Sequence, residues 1–270
     1  MTRQRSPSEQ PAAAHALKAR VADFWGQQPC GSRSGAGTAF ASAEFFSATE
    51  QARHRLEPFV SRFAQFQKWR GRRVLEVGCG IGVDHAQFAR HGAVGFGIDL
   101  TPIGCRVTSE RLAHHGAPAR IACADCEHLP FADQSFDFVY SWGVIHHSPD
   151  TNTAARELVR VLRPGGKLLA MVYNARSLVV LQAYLVHGLL RGKPFRRPRN
   201  LVAEHLESPG TKVYSRRQAL ALLPGMRSLR ASTVVTPYDL RVGRHRFLPP
   251  WVQSWVPARW GYFLVIEGEK

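Results

Sequence analysis

The stretch VLEVGCGIGVD, residues 74–84, decides the fold. It joins an apolar run of strand length to three glycines at alternate positions, Gly78, Gly80 and Gly82, and a segment with helical periodicity starts at Val83. Glycine at a strand-to-helix turn allows positive φ and leaves room where a ligand approaches the backbone. We therefore predict that this turn borders a ligand-binding crevice at the carboxyl edge of a parallel sheet.

Outward from this turn, apolar runs of strand length alternate with amphipathic segments of helix length between residues 73 and 173. That alternation is typical of a parallel sheet covered by helices on both faces. We predict an α/β chain with a Rossmann-like, doubly wound, mostly parallel sheet of seven strands. The expected strands are residues 73–78, 94–99, 119–123, 136–142 and 167–173, one near 232–235, and a final one at 262–268.

The remaining sequence divides the chain further. Residues 1–15 carry charge and proline without an apolar core, which predicts a disordered tail. Residues 16–69 are interpreted as a helical N-terminal cover, broken at QQPCGSRSGAG. Residues 70–270 form the main domain, and residues 174–213 interrupt its alternation, so we predict a helical lid inserted after the fifth strand. Substrate choice is expected to lie in the cover and the lid.

The composition describes a globular, basic chain. Lys and Arg number 36 against 20 Asp and Glu, which gives a formal charge of +16, and 44% of the 270 residues are hydrophobic. Such a surface favours anionic partners, although Arg-rich composition also serves solubility alone. No stretch reaches the roughly 18 apolar residues of a membrane span, and the N-terminus lacks the apolar core of a secretory signal. The expected location is the cytoplasm.

The five cysteines are too few and too scattered for a disulfide framework, so we expect reduced thiols. Cys123 and Cys126 form a C-x-x-C, but no second pair with metal-ligand spacing accompanies them. The sequence therefore predicts no metal site.

A dinucleotide-binding enzyme is the obvious rival interpretation of the glycine turn. Its fingerprint places the third glycine three residues after the second, and here that position is Val83. A pyrophosphate also prefers helix-terminal amides without a neighbouring carboxylate, whereas Glu76 stands two residues before Gly78. An acidic residue at this point favours a cationic ligand instead.

Two further acidic residues follow the next strands. Asp99 ends the second strand, 21 residues after Gly78, where a carboxylate accepts hydrogen bonds from ribose hydroxyls. Asp125 follows the third strand and is placed to accept from an adenine amino group. Each acid alone is explained equally well as a cap or a solvated loop residue. Their occurrence at three successive strand ends, with Glu76, favours a ligand site.

Four segments in this order resemble the successive motifs of class I S-adenosylmethionine-dependent methyltransferases: VLEVGCGIGVD, GIDLT, ADCEHLPFADQSFDFVYSWGVIHHSPD and ELVRVLRPGGKLLAMVYNA. The resemblance covers roughly residues 70–174 and is strongest to the small-molecule subgroup (methyltransferase type 11) that includes the ubiquinone and menaquinone biosynthesis C-methyltransferases. It implies that S-adenosylmethionine is the cofactor. It also implies that the methionine moiety is held by Glu76, Gly78, Gly80 and Gly82, the ribose by Asp99, and the adenine by Asp125 with Cys126. The predicted cofactor-binding set adds Cys79, Leu100 and Trp142.

Methyl transfer is an in-line displacement, so alignment is the main task, and a base is needed where the acceptor atom carries a proton. The segment SWGVIHHSPD follows the fourth strand and offers His146 or His147 as that base, with His146 preferred. Asp150 and Thr151 are interpreted as helix caps. The Asp/Asn-Pro-Pro-aromatic run of enzymes that methylate bases or amides is missing here, which disfavours that class.

The acceptor is expected to be a small, hydrophobic or natural-product-like molecule. In the lid, the apolar run SLVVLQAYLVHGLL precedes RGKPFRRPRN, and the later RVGRHRFLPPWVQSWVPARWGYF mixes arginines with tryptophans. These segments either rest on an anionic membrane surface, at the inner face of a membrane, and admit a lipid-like acceptor, or pack as an ordinary lid. An RNA methyltransferase stays open as an alternative, although no RNA-binding module is recognisable. The acceptor atom and the oligomeric state stay open.

Overall fold

Ten strands and nine α-helices occur in residues 9–242, 246–247 and 250–270, the part of the chain that the computed structural model describes. The strands are β1 (Arg73–Val77), β2 (Val94–Asp99), β3 (Ile121–Cys123), β4 (Phe136–Trp142), β5 (Leu162–Asn174), β6 (Val213–Tyr214), β7 (Arg227–Val234), β8 (Arg241–Val242), β9 (Arg246–Phe247) and β10 (Phe263–Glu269). The helices are α1 (Glu9–Gln27), α2 (Ala43–Leu56), α3 (Val60–Ala64), α4 (Val83–Arg90), α5 (Pro102–His114), α6 (Thr151–Arg160), α7 (Leu178–His187), α8 (Pro198–His205) and α9 (Arg216–Ala221).

The main sheet has the order β3-β2-β1-β4-β5-β10-β7, which confirms the predicted Rossmann-like α/β fold. Strands β1 to β5 are parallel, and β10 runs antiparallel to both β5 and β7. The two-residue β6 beside β5 makes eight strands where seven were predicted. The chain reverses its direction of travel across the sheet between β1 and β4, and ligands of such sheets bind at the carboxyl edge at this point.

Both faces of the central strands are buried, as a parallel sheet between two helical layers requires. Leu75 and Val77 of β1 belong to an apolar cluster on one face of the sheet. Val74 belongs to a second apolar cluster on the other face. In the second cluster Trp69 stacks on Phe138 with ring centroids 4.1 Å apart. The alternation in β1 therefore anchors the glycine turn to two cores at once.

The structure corrects two predictions about element boundaries. Helix α1 begins at Glu9, so residues 9–15 are helical rather than a disordered tail, while residues 1–8 lie outside the described residues. Strand β5 begins at Leu162 rather than at residue 167, so residues 162–166 also belong to the strand. The pairing of β4 with β5 shifts register between Phe136 and Phe138, and Gly165 has a φ of 75°. The additional residues of β5 therefore form a bulge.

The insertion after β5 is helical, as predicted. Helices α7 and α8 pack on each other and bury Val180, Leu201 and Val202. None of the helices in the described part of the chain combines the length and the apolar composition needed to cross a membrane. The five cysteines, all within this part, are unpaired.

Candidate functional site

A cavity of about 940 Å³ lies at the carboxyl edge of the sheet, where the strand order reverses. Helices α1, α2 and α7 contribute to its walls. Of the predicted cofactor residues, it is lined by Glu76, Gly78, Cys79, Gly80, Asp99, Leu100, Asp125, Cys126 and Trp142. Of the two predicted bases it is lined by His147 alone, and Gly82 is not part of its wall. The fold thus collects residues from four strand ends around one space.

The three glycines of the turn have different roles, although all have positive φ. A Cβ at Gly78 would clash with Val144. A Cβ at Gly80 would meet no atom within 4 Å, so this backbone borders open cavity that any side chain would fill. Gly82 precedes α4, and a Cβ there would approach Thr108 of α5 to 3.0 Å. Gly82 therefore contributes to the packing of α4 on α5, and its contact with the ligand stays a prediction.

Asp99 connects the first two strand-end loops. Its Oδ2 accepts a hydrogen bond from the Gly80 amide at 2.8 Å, and its Oδ1 accepts from the amide and the hydroxyl of Thr101 at 2.9 and 2.7 Å. Three donors hold the carboxylate in one orientation at the cavity wall. Each carboxylate oxygen has more than one acceptor site, so capacity remains for a ligand hydroxyl.

Glu76 is a buried carboxyl that borders the same cavity. Its Oε2 lies 3.0 Å from Nδ1 of His85. Burial raises the pKa of Glu76 to about 7, although His85 opposes the shift. A cation placed beside Glu76 would favour the ionised form, so this position suits a positively charged ligand group.

Lys18 of α1 contacts both Asp125 and Glu127, and its Nζ lies 2.6 Å from Oε2 of Glu127. Glu127 also accepts from the Ser148 hydroxyl and from the Asp150 amide. Burial opposes these charges, yet the two carboxylates raise the pKa of Lys18, and Lys18 with Ser148 lowers the pKa of Glu127. The N-terminal helix is thereby fastened to the loop predicted to hold adenine. Lys18 was not predicted, because its partners are more than a hundred residues away.

A second polar group, which the sequence did not predict, lies under Trp142. Arg53 of α2 binds Asp84, with Nε 3.1 Å from Oδ1, and also binds Glu57, with the nitrogen and oxygen 2.6 Å apart. The Trp142 indole donates to Glu57 at 3.0 Å, and the Tyr140 hydroxyl donates to Asp84 at 2.6 Å. Burial raises the pKa of Glu57 even beside Arg53. This network orients the Trp142 ring at the cavity wall.

The two histidines after β4 are placed differently from the prediction. His146 is fully buried, its ring centroid 4.0 Å from that of Tyr173, and it does not border the cavity. Neither of its ring nitrogens has a hydrogen-bond partner among the described residues. The prediction that His146 faces the acceptor is therefore not met, because the 3₁₀ turn Ile145–His147 directs it inward. His147 borders the cavity.

The protonation of His147 follows from its neighbours. Nδ1 of His147 lies 2.8 Å from the Ser208 hydroxyl and 3.1 Å from the Thr211 hydroxyl, which itself donates to the Ser208 carbonyl at 2.7 Å. Nε2 lies 3.6 Å from Oε2 of Glu207, whose φ of 50° is unusual for a residue other than glycine. Burial and nearby Lys212 lower the pKa of His147 to about 3, so the ring is neutral.

Residues 75–170 match a protein family described as "Methyltransferase domain". Methyltransferase GfsG of Streptomyces halstedii is 41% identical over 101 residues, which are 36% of this chain and 36% of that protein. Sterol 4-C-methyltransferase strm-1 of Caenorhabditis elegans is 35% identical over 35% of this chain and 29% of its own length. Tocopherol O-methyltransferase of Arabidopsis thaliana is 35% identical over 40% and 32%. The chain thus spans about a third of the length of these curated relatives.

Solved structures share the fold over most of the chain. A SAM-dependent methyltransferase from Aquifex aeolicus has a TM-score of 0.52 and 16% identity, covering 81% of this chain and 92% of that one. The [4+2]-cyclase SpnF has a TM-score of 0.55 and 18% identity, covering 97% and 94%. Because SpnF is described as a cyclase, the fold alone does not define the reaction. Residues 75–170 therefore carry a methyltransferase domain, and the chain shares its fold with a solved S-adenosylmethionine-dependent methyltransferase.

Proposed function

We propose that this protein transfers a methyl group from S-adenosylmethionine to a small hydrophobic acceptor. The observation that carries the proposal is the open backbone face of Gly80, in a cavity that the carboxyls of Glu76 and Asp99 also line. When bound, the cofactor supplies an electrophilic methyl group on a sulfonium. A small, hydroxyl-rich, cationic ligand fits such a wall, whereas a dianionic pyrophosphate does not.

The proposed binding roles follow the strand ends. Glu76 pairs with the ammonium group of the methionine moiety, and the Gly78–Gly80 backbone passes beneath it. Asp99 accepts from the ribose hydroxyls, and Leu100 covers that sugar. Cys79 completes the wall of the turn, and the adenine lies against Asp125 and Cys126. Trp142, held by Glu57, closes the side from which the acceptor approaches.

The rest of the cavity wall supports a hydrophobic acceptor. Trp25 of α1, Val179 and Ala183 of α7, and the rings of Tyr238 and Tyr262 line it. Burial of an apolar molecule against such side chains contributes roughly 25 cal/mol per Å². The names of two relatives refer to apolar substrates, a sterol and tocopherol, in agreement with this chemistry.

We propose His147 as the base for an acceptor atom that carries a proton. His147 borders the cavity, and the hydroxyls of Ser208 and Thr211 hold its Nδ1 in place. The Glu207 carboxylate, 3.6 Å from Nε2, would stabilise the imidazolium that forms. The lowered pKa of about 3 leaves the ring neutral but weakly basic at physiological pH, so proton uptake depends on this stabilisation by Glu207.

The test has two stages. Isothermal titration calorimetry with S-adenosylmethionine and its demethylated product should show binding of both. The protein is then incubated with a donor labelled in the methyl group and with fractions of cell extract, and a labelled apolar product is expected. Absence of binding would refute the cofactor. Tight binding without label transfer to any fraction would refute methyl transfer and favour a reaction of the cyclase kind.

We also propose that the protein works in the cytoplasm, against a membrane surface, because an apolar acceptor partitions there. A small-molecule acceptor and a basic lid are compatible with a protein bound to the membrane surface and also with a protein free in the cytoplasm. The RNA alternative has no support from a recognisable binding module, and the apolar cavity lining disfavours it.

A further inference from the structure

The outer face of the lid exposes large apolar side chains. In α7, the 3₁₀ turn after it and the following loop, Leu190 is 79% and Phe195 98% exposed, and three further leucines are about half exposed. We call these five residues together the lid surface: Leu181, Leu185, Leu189, Leu190 and Phe195. Single exposed apolar residues are ordinary, but several together on one element indicate an interaction site.

Basic residues border this apolar face, and the segment that carries it contains no acidic residue. No Asp or Glu occurs between Arg176 and Glu204. In this interval Arg191, Arg197 and Arg199 are exposed, and Arg196 pairs with Glu204. The local charge is thus strongly positive around the lid surface, which favours a partner that is anionic as well as apolar.

Helix α7 lies between the lid surface and the acceptor cavity. Val179, Ala183 and Val186 line the cavity, while Leu181 and Leu185 are on the exposed side of the same helix. A helix has a diameter of about 10 Å, so this is all that separates the two spaces. An apolar helix with no polar face differs from an ordinary surface helix, which presents polar residues to water.

Exposed tryptophans lie on a segment that is linked to α7 through a shared neighbour. The 3₁₀ segment Pro237–Leu240 contacts α7 and also the 3₁₀ segment Pro250–Trp255, in which Trp251 and Trp255 are exposed. Tryptophan is the residue that membrane–water interfaces enrich, because its ring is apolar and its N–H is polar.

We propose that the lid surface docks on a membrane whose headgroups are anionic, with α7 facing the bilayer. Apolar side chains enter the interface, and Arg191, Arg197 and Arg199 bind headgroup phosphates. A second copy of this chain would bring the same cations against these and repel them. An RNA partner would use the arginines and leave the leucines in water. Docking would let the acceptor pass from the bilayer along α7 into the cavity. This path rests on the proposed function, whereas the docking itself does not.

The experiment uses the full chain and vesicles sedimented with it. One set consists of phosphatidylcholine alone, and the other of equal parts phosphatidylcholine and phosphatidylglycerol. We expect binding to the second set that weakens with added salt. The double variant L190S/F195S should bind it roughly tenfold more weakly or worse, as should R191Q/R197Q/R199Q. The control R216Q/R217Q/R230Q removes three exposed arginines elsewhere and should bind as the parent chain does.

Three results would overturn the proposal. The first is equal loss of binding in the control, which would assign the effect to net charge. The second is unchanged vesicle binding by L190S/F195S together with arginine-dependent retention on RNA. The third is a dimer that L190S/F195S makes monomeric, in a protein that binds neither vesicle. Calorimetry with S-adenosylmethionine on the same variants should be unchanged. If the parent chain does not bind S-adenosylmethionine, the proposed function is refuted, whereas the docking result still stands.

Discussion

Lys18 of the N-terminal helix contacts the carboxylate of Asp125, 107 residues later in the chain, and the same ammonium contacts Glu127. The contact joins the cover to the loop in which Asp125 and Cys126 line the cavity. The cover is therefore part of the site rather than an appendage in front of it.

Replacing Lys18 by Met should loosen α1 at this point. The two carboxylates lose a partly buried cation, and we expect a loss of about 1 kcal/mol in the free energy of unfolding. Hydrogen exchange of the α1 amides should quicken, which mass spectrometry measures. The matched control Arg106→Met breaks an exposed pair with Glu110 and should change neither. Unaltered exchange in Lys18→Met would show that apolar contacts alone hold the helix.

Asp99→Asn should weaken S-adenosylmethionine binding by roughly ten- to a hundredfold. The amide keeps the shape but replaces charge-assisted hydrogen bonds to the ribose, each worth about 1.5–3 kcal/mol. Calorimetry gives the affinity, and Asp133→Asn, at an exposed carboxylate, is the control. An affinity equal to that of the parent chain would remove Asp99 from the cofactor site.

The affinity for S-adenosylmethionine should depend on pH through Glu76. The raised pKa of about 7 means that the carboxyl is mostly protonated below pH 7, and the ammonium group needs the ionised form. Binding should therefore strengthen roughly eightfold from about pH 6 to about pH 7.5. Glu76→Gln should bind more weakly and lose this dependence. The same pH profile in the variant would assign the titration to another group.

His147→Gln should lower kcat by about 10² or more for an acceptor that loses a proton, with the cofactor affinity unchanged. His146→Phe fills the buried volume against Tyr173 and should keep kcat, because this ring does not border the cavity. Single-turnover kinetics with the labelled donor measures both. Equal losses in the two variants would indicate a packing role for the pair.

Arg53→Met should be strongly destabilising. It leaves the carboxylates of Asp84 and Glu57 buried without their cation, and breaking such a pair costs about 3–5 kcal/mol. Arg90→Met, in which the pair with Glu50 is more exposed, should cost less than about 1 kcal/mol. Urea unfolding measures both free energies. Similar values would mean that water screens the Arg53 network.

Much of this protein was predictable from local patterns. The alternation of apolar runs and amphipathic segments predicted the sheet and its helices, and the glycine turn with Glu76, Asp99 and Asp125 predicted which strand ends surround the cavity. Periodicity and spacing suffice there because the carboxyl ends of parallel strands necessarily meet at one edge.

Other features depended on contacts between distant parts of the chain. Three charged residues border the cavity because they bind partners dozens of residues away in the chain: Lys18, Arg53 and Glu207. No regular spacing in the sequence predicts such contacts. Periodicity also cannot say which of two adjacent histidines faces a cavity, because a 3₁₀ turn points them to different sides. The sequence by itself therefore determined the sheet, its edge and the acidic residues there. Only the tertiary structure decided which side chains close the site, since that depends on how helices pack across the sheet.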